Sequence, residues 1–400
     1  MENKKLSLFA LLTAALVITS APAISANIPA IETTFPTIHR EWINLFTTIP
    51  ALFIIIGIFC SITIERWFGV KRTILVSLFL VAFFGTIPVW YNGSFYVLFL
   101  SRCVLGLGIG LFNRLIIQTI SSLTRGDTKL KARYLGLESA FEGLGGILMT
   151  LSVGRLVKIS WQLSFLVYAL AIVGFFGILI YFKEPTTLDE LQVVTRLTKV
   201  PKDLKRKMIG LTILLFMIVS LFIVFNLQVT ALLIEKRIGQ ATQGSDLIAC
   251  ISVGAFLAGN LFGKTYHMIH AKVLPLATLV SGLTLIWISQ TSSLLLVMIL
   301  SGVLGFSFRH IIPFFNHLFT SKGDAETRYG TILIIMAYNL GTTASPFIVK
   351  LLSMLHIEKA SMILMISGGC FLAIDLASYC LNLNCYWIGL RSIDRHLIPR

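Results

Sequence analysis

Charged residues are scarce in this 400-residue sequence. Asp, Glu, Lys and Arg together make up 13% of it, whereas 56% of the residues are hydrophobic. Soluble domains seldom exceed about half apolar residues, and the mean hydropathy here is +0.87. The shortage of charge therefore excludes a soluble enzyme or binding domain and predicts a chain solvated by lipid.

Motifs for cofactors and covalent crosslinks are also lacking. The six cysteines lie inside or at the ends of apolar runs without the paired spacing of metal sites or disulfide frameworks, so we interpret them as small core residues. Gly106-Leu107-Gly108-Ile109-Gly110 follows no strand, and no phosphate loop with a Gly-Lys-Ser/Thr pattern is present. The sequence thus predicts no metal, no cofactor, no nucleotide-driven pump and no enzyme.

Long apolar runs recur through the whole chain. Since lipid-exposed backbone must satisfy its own hydrogen bonds, runs of this length predict helices and not barrel strands. We expect twelve spans, near residues 6–27, 42–64, 73–91, 95–122, 134–157, 160–182, 208–234, 245–266, 272–290, 293–319, 329–353 and 360–384. The first run resembles a secretory signal, but counting it as a retained span leaves two equal sets of six.

Basic residues are concentrated in alternate connections. The excess of 33 Lys+Arg over 18 Asp+Glu would suggest a nucleic acid partner in a soluble protein. Here 23 of the 33 fall on the side of the N-terminus, 7 on the other and 3 within spans. By the positive-inside bias, we expect a multi-pass plasma-membrane protein with both termini in the cytoplasm and no nucleic acid partner.

The two halves of the chain share an internal repeat. The fourth span contains Val104-Leu105-Gly106 and the tenth Val303-Leu304-Gly305. Each is followed by a Gly-Asp connection and then by an Arg-Tyr pair, at Arg133-Tyr134 and Arg328-Tyr329. A duplication of six helices predicts an all-α membrane protein of two pseudo-symmetric six-helix bundles with a cavity between them. The expected boundaries are a first bundle at 1–182, a linker at 183–207, a second bundle at 208–385 and a tail at 386–400.

Three local patterns carry a family resemblance. The connection after span two runs from Ser61 to Arg72 as Ser-Ile-Thr-Ile-Glu-Arg-Trp-Phe-Gly-Val-Lys-Arg, span four contains Arg102-Cys103-Val104-Leu105-Gly106, and span one closes with Ala21-Pro22-Ala23-Ile24-Ser25-Ala26-Asn27-Ile28-Pro29. Together they resemble the major facilitator superfamily, and the first-span pattern is similar to its twelve-helix drug/proton antiporters. The first pattern departs from the family in having Ser61 in place of glycine and one extra residue before Gly69. Span five keeps the glycines of such antiporters but not their proline.

The resemblance implies a role for several of these residues. It places a cytoplasmic gate at Glu65, Arg66, Gly69, Lys71 and Arg72, which would form contacts in one transport state and lose them in the other. An ordinary solvated loop is the alternative. Arg102 lies in the pattern linked in the family to proton coupling; otherwise it is a hydrogen-bond donor to backbone carbonyls of a neighbouring helix.

Ionisable residues within spans are costly, on the order of 3 kcal/mol each, and so are candidates for function. Six stand out: Arg102, Arg114, Glu138, Glu142, Arg309 and Asp375. Glu138 and Glu142 share one helical face. Equal depth on consecutive helices predicts an Arg114–Glu142 pair, which is either a proton-coupling element or a permanent ion pair.

Arg309 has no charged counterpart in the first half, which suits either a cavity-lining role toward an anionic group or a pair with Asp375. Further polar side chains within the spans are candidates for the substrate cavity: Asn27, Asn226, Gln228, His310 and Asn339. A proton role for His310 has ordinary polar packing as its alternative.

These observations predict a monomeric secondary transporter in the lipid bilayer. It would export small amphipathic molecules against proton entry by rocking of the two bundles. An organic-anion importer or exchanger and a lipid flippase with the same fold are the alternatives.

Overall fold

A computed structural model describes residues 2–124, 128–183, 202–240, 242–320 and 324–380. Most of the predicted linker and the whole predicted tail lie outside these ranges, so the domain boundaries stay a prediction.

Every regular element described is helical. The helices are α1 Glu2–Ala15, α2 Ile28–Thr34, α3 Arg40–Trp90, α4 Phe95–Leu123, α5 Thr128–Leu156, α6 Leu170–Tyr181, α7 Lys202–Glu235, α8 Gln243–Ile269, α9 Val273–Gln290, α10 Leu294–Arg309, α11 Ile311–Thr320, α12 Asp324–Met354 and α13 Ala360–Cys380. Short 3-10 segments precede α2, α6 and α9 at Ala21–Asn27, Leu163–Ala169 and His270–Lys272.

The helices account for all twelve predicted spans. Eight helical segments among the described residues are long and apolar enough to cross a membrane. One of them, α3, has 51 residues and holds the second and third spans, which part at Gly69. The all-α membrane fold is confirmed.

Two spans are broken where proline removes a backbone donor. In the first span, α1 ends at Ala15, and the 3-10 segment and α2 each begin with proline in their first turn. In the tenth span, α10 ends at Arg309 and α11 begins at Ile311. Pro313 cannot donate to the Arg309 carbonyl and its ring crowds that carbonyl. Buried polar residues lie at both breaks, namely Ser20 and Asn27 in the first span and His310 in the tenth.

The repeated glycines bring paired helices into backbone contact. A Cβ at Gly106 of α4 would overlap the backbone of Pro50 in α3, and a Cβ at Gly305 of α10 would overlap that of Ile251 in α8. Small residues permit such close approach in membrane bundles. The duplicated Val-Leu-Gly motif therefore performs the same packing task in each half.

This packing predicts that two glycine-to-alanine substitutions differ strongly in their effect on the stability of the protein. We expect Gly106→Ala to destabilise the protein by about 1–3 kcal/mol, because the backbones of α3 and α4 must separate. Gly136→Ala in α5 meets no described atom within 4 Å and should be neutral or stabilising. Thermal unfolding of the two variants in detergent measures the contrast, and equal midpoints would contradict it.

Helices α1 to α6 pack mainly among themselves, as do α7 to α13. The two halves meet where α5 lies against α8, where α3 lies against α12, and where the 3-10 segment of the first span and α2 reach α7. We call the side of the bundle where α1 begins the N-terminal face and the other side the opposite face. We call the surface along which the two halves meet the seam. Near the opposite face the seam is tightly packed, since Gly154 of α5 lies directly against Ser245 of α8.

Candidate functional site

Arg114 lies at the N-terminal face, paired with Glu65, the acidic residue of the gate motif. Its Nη2 is 2.7 Å from Glu65 Oε2, its Nε donates to Ser61 Oγ at 3.0 Å, and its Nη1 donates to Gln118 Oε1. Glu65 is only 7% exposed. The pair links α3 to α4 within the first half and buries a carboxylate against the cation that neutralises it.

The predicted Arg114–Glu142 pair is wrong. The prediction relied on equal depth in consecutive helices, but α4 packs along α3 and only slightly against α5. A Cβ at Gly110 would overlap Ile54, so the two backbones touch there. Arg114, one turn beyond Gly110, consequently reaches Glu65 on α3.

The rest of the gate motif forms the turn between the second and third spans. Gly69 has φ 79° and ψ 168°, a conformation that disfavours any residue with a side chain. Lys71 donates its Nζ to the carbonyl of Leu179 at 3.0 Å, near the C-terminus of α6, where a cation is favoured. Arg66 and Arg72 are exposed. The motif thus ties α3 to α4 and α6, and its part in a transport gate stays a prediction.

Arg102 is enclosed by aromatic rings in the first half and is fully buried. Its Nη1 donates to Tyr168 Oη at 2.7 Å and its Nε to the Phe46 carbonyl at 3.4 Å. The guanidinium carbon lies 5.7, 6.0 and 5.2 Å from the ring centres of Phe46, Phe165 and Tyr168. Tyr168 in turn donates to the carbonyl of Ser20 at 3.2 Å, at the break in the first span. These are the contacts of an interhelical donor that holds the broken span in place.

Sequence reasoning missed this aromatic enclosure. Phe165 follows Trp161 by four residues and Tyr168 follows Phe165 by three, a spacing that places all three on one side of a helical segment. That spacing could have indicated an aromatic cluster on this segment. Nothing in the sequence indicated that Phe46, which lies on another helix, joins the cluster.

A second group of charges spans the seam between the halves. Glu138, which is 5% exposed, and Glu142 lie on α5 of the first half, whereas Arg309 ends α10 of the second. Arg309 interacts electrostatically with both carboxylates and with Tyr338 of α12. We call these four residues the seam cluster. The structure therefore brings together three of the six predicted ionisable residues and adds Tyr338.

Direct ion pairs are absent within the seam cluster. No described acidic group lies within 4 Å of the Arg309 guanidinium, so neither Glu142 nor Asp375 pairs with it directly. Asp375 of α13 instead accepts a hydrogen bond from Thr278 of α9 at 3.1 Å. The alternative of an Arg309–Asp375 pair is thus not realised, and Arg309 keeps donors available for a solute or for water.

Several of the predicted cavity residues carry buried polar atoms without hydrogen-bond partners. Asn226 Oδ1 and both amide atoms of Gln228 lack a partner among the described residues, as do Asn27 Oδ1 and His310 Nε2. Each such atom costs about 1–3 kcal/mol unless water or a solute satisfies it. Four of the five predicted cavity residues therefore present unused hydrogen-bonding capacity.

The other polar contacts of these residues are local. Asn27 donates to Ser164 Oγ at 2.5 Å, His310 Nδ1 lies 2.8 Å from the Phe306 carbonyl, and Asn339 donates to the Ile335 carbonyl of its own helix at 2.9 Å. Further unpartnered buried atoms that the sequence did not single out belong to Ser20, Asn44, Thr230 and Ser245.

Comparison with known proteins gives one family and one fold. The profile of the Major Facilitator Superfamily matches residues 6–346. The nucleoside transporter NupG superposes with a TM-score of 0.72 at 13% identity over 95% of this chain and 99% of its own. A D-xylose-proton symporter superposes with a TM-score of 0.67 at 15% identity, over 92% of this chain and 95% of its own. A POT family transporter in complex with a thioalcohol-conjugated peptide superposes with a TM-score of 0.73 at 15% identity, over 95% of this chain and 96% of its own. A search of the curated proteins finds no match.

Proposed function

Because the chain belongs to the major facilitator superfamily and is a secondary membrane transporter, not an enzyme, we propose that it couples proton movement to the transport of a small solute by alternating access. The observation that supports this most is the seam cluster, in which the carboxylates of one half lie within electrostatic range of the cation of the other. Proton coupling needs a titratable group whose charge affects how the halves meet, and we assign this role to Glu142.

The proposed cycle follows from the charges in the seam cluster. When Glu142 is ionised, it attracts Arg309 across the seam and favours the arrangement in which α5 and α10 approach. When it binds a proton, the attraction is lost and the balance between the two arrangements shifts. A solute that binds one arrangement better is then moved at the expense of the proton gradient.

The solute proposed is small and amphipathic with hydrogen-bonding groups. Asn226 and Gln228 offer unused donors and acceptors, while most neighbouring residues of α7 are apolar. The similar structures are a nucleoside transporter, a D-xylose-proton symporter and a transporter in complex with a conjugated peptide, and nucleosides, D-xylose and peptides all carry polar groups.

The direction proposed is efflux in exchange for protons, and it rests on the first-span pattern from Ala21 to Pro29. The N-terminal face would then be cytoplasmic and the membrane the plasma membrane, as the distribution of basic residues indicates. We also propose that the monomer is the transporting unit, since the seam cluster lies within one chain.

Transport in vesicles tests this function. A solute found by thermal-shift screening of the purified protein at two pH values should accumulate in everted vesicles when a proton gradient is imposed. Collapse of the gradient should stop the accumulation. Accumulation only in right-side-out vesicles would reverse the direction, and accumulation indifferent to the gradient would remove the coupling.

Exchange of an organic anion is the second candidate, favoured by the absence of a direct ion pair at Arg309 in the described part of the chain. A carboxylate or phosphate could accept two parallel hydrogen bonds from that guanidinium. This candidate predicts that anions compete with the solute and that Arg309→Gln loses anion binding selectively.

A further inference from the structure

Three hydrogen bonds tie the broken first span to the short stretch of chain that precedes α6. This stretch runs from Trp161 into the 3-10 segment Leu163–Ala169. Each bond joins one of its side chains to one position of the first span: Trp161 Nε1 donates to Thr34 Oγ1 at 3.0 Å, Asn27 Nδ2 donates to Ser164 Oγ at 2.5 Å, and Tyr168 Oη donates to the Ser20 carbonyl at 3.2 Å. We call these three bonds the first-span ladder.

The spacing of the first-span ladder places one bond at each irregular point of the first span. Its residues before α6 are three and four positions apart and so share one side of that stretch. Their partners on the first span are seven positions apart. One precedes the 3-10 segment Ala21–Asn27, one ends that segment, and one ends α2. The ladder therefore holds the broken part of the span along its whole length.

The backbone of the held stretch is only weakly fixed by its own hydrogen bonds. A 3-10 segment has poorer hydrogen-bond geometry than an α-helix, and the prolines in the first turns of this segment and of α2 donate no backbone hydrogen bond. Asn27 and Ser164 are fully buried, so the bond between them is shielded from water. Side-chain bonds thus fix a shape that the backbone alone does not.

The held stretch lies on the seam. The 3-10 segment Ala21–Asn27 contacts α3 and α5 of its own half and α7 and α8 of the other. It belongs to the part of the first span that runs toward the opposite face, where Gly154 of α5 and Ser245 of α8 close the seam. All three ladder bonds, in contrast, lie within the first half. The first half therefore sets the shape of a surface that must fit the second.

We propose that Ser164 is a positioning residue for transport: through the first-span ladder it holds the 3-10 segment in the shape that fits α7 and α8, and so stabilises the arrangement closed at the opposite face. The bond contributes there because the segment must match the second half. In the arrangement open at this face the segment is free to relax, so loss of the bond costs less. The proposal rests on alternating access, but not on the coupling ion or the solute.

Thiol alkylation of the purified full-length protein tests the proposal. Ser245→Cys places a thiol that Gly154 covers while the opposite face is closed, since Ser245 is 0% exposed. N-ethylmaleimide reaches this thiol when the face opens, and mass spectrometry of the modified peptide reads this one position. In this background we expect Ser164→Ala to raise the alkylation rate about fivefold, because loss of one hydrogen bond shifts the closed arrangement by about that factor.

Ser77→Ala is the matched control. Ser77 of α3 is as fully buried as Ser164, and each hydroxyl donates to a carbonyl three or four residues earlier in the chain. Only Ser164 of the two also bonds to the first span. Ser77→Ala should leave the alkylation rate unchanged even if it lowers the unfolding temperature as much. A rate for Ser164→Ala no higher than that for Ser77→Ala would overturn the proposal.

Further variants test the ladder as a unit. Asn27→Ala should raise the alkylation rate to the same extent as Ser164→Ala, and the double variant no further, because both substitutions break the same bond. Increases that multiply would contradict the proposal. If Ser164→Ala does not fold, Tyr168→Phe breaks another ladder bond and keeps the ring, and an unchanged rate there would also overturn the proposal. None of these measurements uses a solute or a proton gradient, so their failure is distinct from a failure of proton coupling.

Discussion

Replacing Arg114 with leucine is expected to lower the free energy of unfolding by about 3 kcal/mol or more. The substitution removes the cation that lies 2.7 Å from the buried Glu65 carboxylate, and removal of one partner of a buried pair is far more costly than loss of a surface ion pair. Unfolding in mixed micelles, followed by the change in helicity, measures the loss.

The same region offers a control and a rescue. Arg66→Gln removes an identical charge from an exposed neighbour and should change stability by less than about 0.5 kcal/mol. Adding Glu65→Gln to Arg114→Leu should recover part of the lost stability, because the buried side chain that lost the Arg114 contact is then neutral. If Arg114→Leu were as mild as Arg66→Gln, the buried pair would not be important for stability.

Replacing Glu142 with glutamine is expected to reduce gradient-driven transport at least tenfold. Glutamine has nearly the same shape and polarity but cannot bind and release a proton at neutral pH. Solute binding by the purified variant should persist, because the side chains with unused hydrogen-bonding groups are unchanged. Vesicle transport and calorimetry on the same variant separate the two effects.

Glu138→Gln and Glu41→Gln give the comparison for Glu142. Glu138 lies one turn nearer the N-terminal face on the same side of α5, so its loss should alter transport less than the loss of Glu142. Glu41 is outside the seam and its substitution should be silent. Full transport by Glu142→Gln with an unchanged dependence on the gradient would assign the coupling to another group.

The fold followed from features that are local in sequence. Apolar runs of sufficient length specify membrane helices whatever their neighbours are, and the family is confirmed. The repeated Val-Leu-Gly motif correctly indicated duplicated spans, since glycine has the same packing role at Gly106 and Gly305. In the gate motif, the helix continues to Phe68 and the break falls at Gly69, the glycine that the motif predicts for the turn.

The side-chain partners could not be predicted in the same way. Which residue Arg114 meets depends on which helices pack closely, and depth along a span carries no information about that. Arg102 matched the family pattern, yet its aromatic enclosure depends on Phe46 from a different helix. The efflux branch and the roles of the site residues stay predictions.

The most direct test of proton coupling is to count the protons that accompany solute binding. The purified protein, in weakly buffered solution, receives the solute found by screening while the pH is recorded. We predict a change equivalent to about one proton per solute bound, with release for exchange and uptake for symport. The change should vanish in Glu142→Gln and persist in Glu41→Gln. Solute binding with no proton change in the wild type, or an undiminished change in Glu142→Gln, would contradict the account.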